Sequence, residues 1–216
     1  MKNKFAIFSC LALTVLLLSF SLKNVTGDIL AINSKVPMLD TKMKDVGGKE
    51  LSLAEIKNKN GLLVVFSCNT CPFVVGNGEK SQGWENRYPM LGELCKKNGI
   101  GMVLVNSNEA KRADGDSMEE MMAHYKKMHY NCNYVLDKNH LLADAFGAKT
   151  TPHVFLFNAN NELIYKGAID DNVDSKEEVK IPYLKNAIEN HLAGKKIEPN
   201  STKQIGCSIK RVSAKK

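Results

Sequence analysis

The chain has 216 residues, 44% of them hydrophobic, and 30 Lys and Arg against 23 Asp and Glu for a formal net charge of +7. That length suits one well-filled domain rather than two. The basic excess is weak and forms no stripe interleaved with aromatics, which excludes nucleic acid as an expected partner.

Lys2 and Lys4 precede an acid-free apolar run from Phe5 to Phe20, the pattern of an export signal, and Val25 and Gly27 are small enough for cleavage after Gly27. Residues 1–27 are expected to be a signal peptide, with an uncleaved membrane anchor as the alternative. Residues 28–216 are expected to form a single domain with a basic, solvated C-terminal tail that includes Lys210 and Arg211. Nothing after Asp28 is apolar for long enough to span a bilayer, so a membrane is a partner only through the N-terminal segment. The expected location is exported, periplasmic or extracellular. Without residues 1–27 the balance is 27 basic to 23 acidic residues, and five cysteines remain: Cys68, Cys71, Cys95, Cys132 and Cys207. An odd number argues against a complete structural disulfide framework and for a free or exchanging thiol.

In chain order, Val36 to Leu39 reads as an extended piece, Val46 to Lys49 as a turn and Leu51 to Leu53 as the returning strand, so a β-hairpin opens the domain. Ser52 then caps a short helix ending at Ile56. The apolar run Leu62 to Phe66 is a buried strand. Residues 72–98 follow, helical in their second half, with Gly76, Gly78 and Gly83 breaking the first half and Pro89 kinking or splitting the rest. Gly101 to Asn106 is the next strand. Asp116 or Ser117 caps a helix whose Met118, Met121, Met122 and Tyr125 lie on one face as core. Tyr134 to Leu136 is a short strand, and Asn139 to Phe146 a helix stopped by Gly147. Val154 to Phe157 and Leu163 to Tyr165 form a hairpin across Asn158 to Asn161. A last helix runs from Pro182 to Leu192, with Ile181, Leu184, Ile188 and Leu192 on its apolar face. This alternation predicts an α/β sandwich with a central mixed sheet.

Cys68 and Cys71 directly follow the strand 62–66. A C-x-x-C pair delivered by a buried strand to the start of a helix meets free backbone N–H groups that stabilise a thiolate. The pair could also be half of a metal site. Zinc would require a second such pair, and the nearest substitute, His124 and His129 on a polar helix, has no cysteine beside it. The spacing therefore favours a redox dithiol, with no metal and no cofactor. Cys95 sits at an apolar helical position and Cys132 at the entry to a strand, both as structural residues.

The C-x-x-C after a strand and Thr151-Pro152 before a later one together resemble a thioredoxin fold, a three-layer sandwich in which that proline is cis. Across most of residues 29–210 the chain further resembles the peroxiredoxin-like branch of the alkyl hydroperoxide reductase and thiol-specific antioxidant family. The stretches that carry this resemblance are Asn69 to Pro72, Val105 to Asn108, Asp116 to Met118, Gly147 with Ala148, Phe155 to Phe157, Ile169 to Asn172, Leu192 to Lys195 and Gly206 to Lys210. The resemblance implies a site formed by Cys68, Cys71, Thr151 and Pro152. In the thioredoxin pattern Cys68 is the exposed attacking thiol and Cys71 the more buried resolving one. A cis Thr151-Pro152 bond would leave the preceding backbone free to pair with a bound polypeptide. His153 departs from the family's acidic residue and is expected on the rim, and Thr150 replaces a cysteine often found there. Asp170, Asp171 and Asn172 read as a solvated positioning loop, lacking the spacing of a calcium site. Cys207 either folds back as a resolving thiol or anchors the tail.

Three functions follow. The first is an exported thiol–disulfide oxidoreductase acting on protein thiols and disulfides with an electron-donor redox protein. The second is a thiol peroxidase in which Cys71 fills the peroxidatic place of T/S-x-x-C; against it, Pro152 stands where such enzymes resemble one another in an arginine. The third is a non-catalytic or copper-carrying module with Cys68 and Cys71 as soft ligands, although no methionine lies within ten residues of the pair.

Overall fold

The computed structural model describes residues 27–213. The expected signal segment, apart from Gly27, lies outside the described residues, as do the last three residues of the tail. Nine strands are described: β1 Met43–Asp45, β2 Glu50–Leu51, β3 Gly61–Ser67, β4 Ile100–Asn106, β5 Asn133–Leu136, β6 Thr150–Thr151, β7 His153–Phe157, β8 Leu163–Gly167 and β9 Cys207–Ser208. The helices are α1 Leu53–Ile56, α2 Pro72–Val75, α3 Tyr88–Lys97, α4 Met118–Lys127, α5 Leu141–Phe146 and α6 Tyr183–Leu192. Seven strands form one mixed sheet in the order β2-β1-β5-β4-β3-β7-β8, and β6 pairs with β9 in a small separate ladder. No helix among the described residues is long and apolar enough to cross a membrane.

Every residue of β3 and β4 is buried, as their unbroken apolar runs require of strands covered on both faces. Side chains alternate across the sheet. Leu63 and Val65 therefore join Trp84, Tyr88, Leu91 and Ile188 in one layer, which draws on α2, α3, α4 and α6. Leu62, Val64 and Phe66 join Leu53, Leu142, Phe146 and Phe155 in the other, drawn from α1 and α5. Phe66 meets Phe146 and Phe155 edge-on at 5.3 and 5.7 Å, the arrangement favoured by the ring quadrupoles.

Two pairings position the site. β3 and β4 run parallel in a register that sets Ser67 beside Asn106, so both strands end at one level. β7 runs antiparallel to β3 with His153 opposite Phe66, which brings Pro152 and Thr151 alongside the end of β3.

Several local expectations are corrected. The opening hairpin pairs Met43–Asp45 with Glu50–Leu51, and Pro37 to Asp40 form a turn instead of its outgoing strand. Ser52 does cap α1, through a reciprocal capping box with Glu55. Pro89 does not break a helix; it occupies the first turn of α3, where its missing N–H costs nothing. His129 lies beyond the end of α4 in a left-handed conformation, so it shares no helix with His124. On α4, Met118 and Met121 are buried but Met122 is exposed; on α6 Leu184 and Ile188 are buried while Leu192 is exposed, and Ile181 lies before the helix and is exposed too. Both stripes are narrower than the spacing implied because each helix packs on only one layer.

Candidate active site

The helix after the C-x-x-C begins at Pro72, which makes Cys71 its N-cap and leaves Cys68 at the end of β3. The expected exposure of Cys68 is not found, since both thiols are buried. Cys68 is 1% exposed and Cys71 3%. Proline at the first helical position fixes the start of α2, so the second cysteine, not the first, lies nearest the unpaired N–H groups.

The loop between the thiols is held by one carboxylate. Asp116, wholly buried, accepts from the backbone N–H of Asn69 at 2.8 Å, the hydroxyl of Thr70 at 2.8 Å, and the side-chain amides of Asn106 at 2.7 Å and Asn108 at 3.0 Å. Ser117, not Asp116, caps α4. Asn69 gains further partners in the Gly115 carbonyl, 3.0 Å from its amide, and the Tyr134 hydroxyl, which donates to its side-chain oxygen at 2.9 Å. The sequence marked Asp116 only as a cap; its role depends on the β3–β4 register, which no local pattern discloses.

Opposite the thiols, the Thr151–Pro152 peptide is cis. The Thr151 hydroxyl lies 3.2 Å from the Cys68 sulfur, and the Thr151 carbonyl 3.0 Å from the Cys71 sulfur. All four residues expected at the site are therefore together. The backbone next to Pro152 is not free, however. β9 pairs with it, Thr151 opposite Cys207 and Thr150 opposite Ser208. A side chain at Gly206 would place its Cβ 2.3 Å from the Thr151 carbonyl, so glycine is what permits this close approach. The tail is anchored on both sides of Cys207, while Lys210 and Arg211 themselves are exposed, as expected of a basic tail. Ile209 is buried among the α1 and α5 layer. The Lys210 N–H donates to Asn108 at 2.9 Å, and Arg211 donates to Asp144 and to the Ala148 carbonyl, each at 2.7 Å.

Cys207 belongs to the site, and its backbone N–H points at the Cys71 sulfur from 3.4 Å. Cys71 is offered hydrogen bonds by the thiol of Cys68, by the thiol and N–H of Cys207 and by the Thr151 hydroxyl. The Cys68 contribution is the largest, and together they outweigh burial and hold Cys71 down to about 5. The Thr151 carbonyl favours the protonated thiol, one acceptor against four donors. Burial first, then the bond to Cys71 and the Asp116 charge, push Cys68 well above the thiol range. Cys207 is raised to about 11, first by burial and then by its contact with Cys71. The arrangement thus favours the thiolate at Cys71 and the protonated thiol at Cys68 and Cys207. Burial pushes Cys95 and Cys132 up to about 12, as befits thiols packed in apolar surroundings.

Other candidates fall elsewhere. His153 is not on the rim; it is 1% exposed, tilted against Phe155 at 4.5 Å, and its burial pushes it down to about 3. It is a neutral core imidazole and no base at neutral pH. Asp170 is not solvated either: it accepts from the Trp84 indole at 2.6 Å and from buried Arg87 at 3.1 Å. Among the described residues no three His, Cys, Asp or Glu group so as to hold a metal ion. A cleft of about 200 Å³ lined by Pro72, Phe73, Asn77, Ser81 and Val173 opens beside α2, and a larger one of about 470 Å³ near His140 and Arg211 touches neither Cys68 nor Cys71.

A central mixed sheet, a strand-to-helix C-x-x-C and a cis-proline facing it define a thioredoxin-fold protein with a redox-type thiol site. The chain belongs to the Redoxin family, whose match spans residues 31–182. No functionally curated protein matches it. It is similar to the hypothetical protein SMc02350 of Sinorhizobium meliloti 1021, with 27% identity, a TM-score of 0.75, and coverage of 87% of this chain and 98% of that one. An uncharacterized conserved protein of Geobacillus kaustophilus is similar at 25% identity and a TM-score of 0.74, covering 87% of this chain and 96% of its own. A secreted Mycobacterium tuberculosis disulfide oxidoreductase homologous to E. coli DsbE shares the fold at 13% identity and a TM-score of 0.50, covering 73% and 97%.

Proposed function

We propose that the protein is an exported thiol–disulfide oxidoreductase in which Cys71 attacks and Cys68 resolves. One observation carries this reading: Cys71, the cap of α2, faces donors from Cys68, Cys207 and Thr151 that hold it down to about 5, while Cys68, three residues earlier across a fixed loop, is pushed well up. The thiolate is the nucleophile in disulfide exchange. Cys71 attacks a protein disulfide, forms a mixed disulfide and releases one partner thiolate. Cys68 loses its proton, attacks the Cys71 sulfur and expels the second, leaving Cys68–Cys71 oxidised and the substrate reduced by two electrons. An electron-donor redox protein then restores the dithiol. The charged and apolar N-terminal segment supports export, where such substrates abound.

The low-pKa position of Cys71 also favours a second reading, peroxide reduction, because the family resemblance puts the peroxidatic residue there. The arginines nearest in sequence do not help it. Arg87 is committed to Asp170 and the carbonyls of Gly83 and Asn172, and Arg112 to Asn106 and the Asp116 carbonyl. Insulin reduction with dithiothreitol, run beside hydrogen peroxide consumption, separates the two. Turnover of insulin that is lost in both Cys68→Ser and Cys71→Ser is expected. Peroxide consumption without insulin turnover would move the assignment to a peroxidase, and activity surviving in Cys71→Ser would remove the site altogether.

A further inference from the structure

We propose that Cys207 is a third redox thiol of this site, resolving disulfides formed at Cys71 ahead of Cys68 and passing the bond on to it. The inference rests on the reading of Cys71 as the attacking thiolate.

Three observations place Cys207 in the reaction path. Its N–H and thiol both face the Cys71 sulfur, the N–H from 3.4 Å. Its backbone is fixed there by the pairing with Thr151, by glycine at 206 against the Thr151 carbonyl, and by Ile209 and Arg211 beyond. It is also partly exposed, whereas Cys68 and Cys71 are buried.

The electrostatics decide the order of the two resolving steps. Cys207 is raised by burial, then by the hydrogen bond to Cys71 and the Cys71 charge. Both contributions from Cys71 vanish once its sulfur is in a disulfide. Cys68 loses the same two contributions but keeps its deeper burial and the Asp116 charge in that state. With Cys71 blocked, Cys207 therefore remains the thiol nearer to the thiolate that attack requires.

Cys71 thiolate attacks a disulfide R–S–S–R, forming Cys71–S–S–R and releasing one RS⁻. Cys207 yields its proton to solvent and attacks the Cys71 sulfur, forming Cys71–Cys207 and releasing the second RS⁻. Cys68, losing its proton in turn, attacks Cys71, leaving Cys68–Cys71 oxidised and Cys207 free to take a proton back. Two electrons pass from the site to R–S–S–R.

One equivalent of 5,5′-dithiobis(2-nitrobenzoate) added to the reduced full chain in a stopped-flow instrument tests this, since each released thiolate absorbs. Cys207→Ser, which keeps the backbone pairing of β9, is expected to slow the second release at least tenfold relative to the first. Cys68→Ser is expected to accumulate a Cys71–Cys207 bond, identified by peptide mass mapping. Acid-quenched wild-type protein should contain the same bond transiently, a measurement that needs no variant. A second release as fast in Cys207→Ser as in wild type, or no Cys71–Cys207 linkage in either sample, overturns the proposal. Loss of the first release in Cys71→Ser is required by the parent reading; its persistence would sink that reading and the relay with it.

Discussion

Asp116 offers the sharpest test of how the dithiol loop is built. Asp116→Asn keeps the volume but replaces one acceptor oxygen with an amide that must face a donor. Of the four donors Asp116 serves, the Asn106 and Asn108 amides are 0% and 2% exposed and have no water to turn to. The Asn69 N–H and Thr70 hydroxyl are only partly buried and recover some hydration. Leaving one buried donor unpaired costs about 1–3 kcal/mol, more when the lost partner was charged, so a loss of roughly 2–4 kcal/mol is expected. For a domain of this size that is a fall in melting temperature of about 5–15 °C. The same change removes a charge that raises Cys68. Cys68 should ionise at lower pH in the variant while Cys71, fixed mainly by Cys68 and Cys207, moves less. Thermal unfolding followed by circular dichroism reads the first effect, and thiolate absorbance at 240 nm in Cys71→Ser with and without Asp116→Asn reads the second. A melting temperature within 2 °C of wild type, joined to an unmoved Cys68 titration, would refute the assignment of Asp116 as the organiser of the loop.

Iodoacetamide should alkylate Cys71 with a pH midpoint near 5 and Cys68 only at strongly alkaline pH; the reverse order would restore Cys68 as the attacking thiol. The depressed Cys71 value also ties stability to pH. This group's contribution is full above the ordinary thiol range near 9 and is lost as pH falls through about 5. Urea unfolding of reduced wild type should therefore gain on Cys71→Ser by at most ~1.4 kcal/mol per pH unit between those limits, and parallel pH curves would contradict the donor network. Gly206→Ala should push β9 off Thr151 and take the Cys207 donors from Cys71, so its alkylation midpoint should rise; an unchanged midpoint would mean the tail does not govern the thiolate. Asp170→Ala strands the Arg87 guanidinium and the Trp84 indole N–H in the core and should cost about 3–5 kcal/mol in chemical denaturation, a loss under 1 kcal/mol being the contrary result.

The central strands were legible because β3 and β4 are buried on both faces and must be apolar throughout, and Thr151-Pro152 before a hairpin placed the proline opposite the dithiol. What misled was chemistry that depends on register. Pro72 announced a helix start, yet the thioredoxin pattern pointed to Cys68, although a proline at the first helical position makes Cys71 the cap. Lys210 and Arg211 are exposed as the basic tail implied, but Ile209 between Cys207 and Arg211 is a buried anchor, and a single apolar residue leaves no periodic signal. Asp170 looked like one of a run of loop carboxylates; only the chain reversal that brings it to Trp84 and Arg87 sets it apart.

Cys68 and Cys71 belong to the same apolar layer that holds Trp84, Leu91 and Ile188. In the proposed reaction the two sulfurs are therefore load-carrying atoms of the interior as well as reagents. Each oxidation draws two of those atoms to bonding distance inside a close-packed layer, and each reduction lets them part, so the helices over that face feel every turnover. Folding and chemistry cannot drift apart in such a molecule: a substitution that loosens α3 or α6 also retunes the thiols, and selection for either property acts on both.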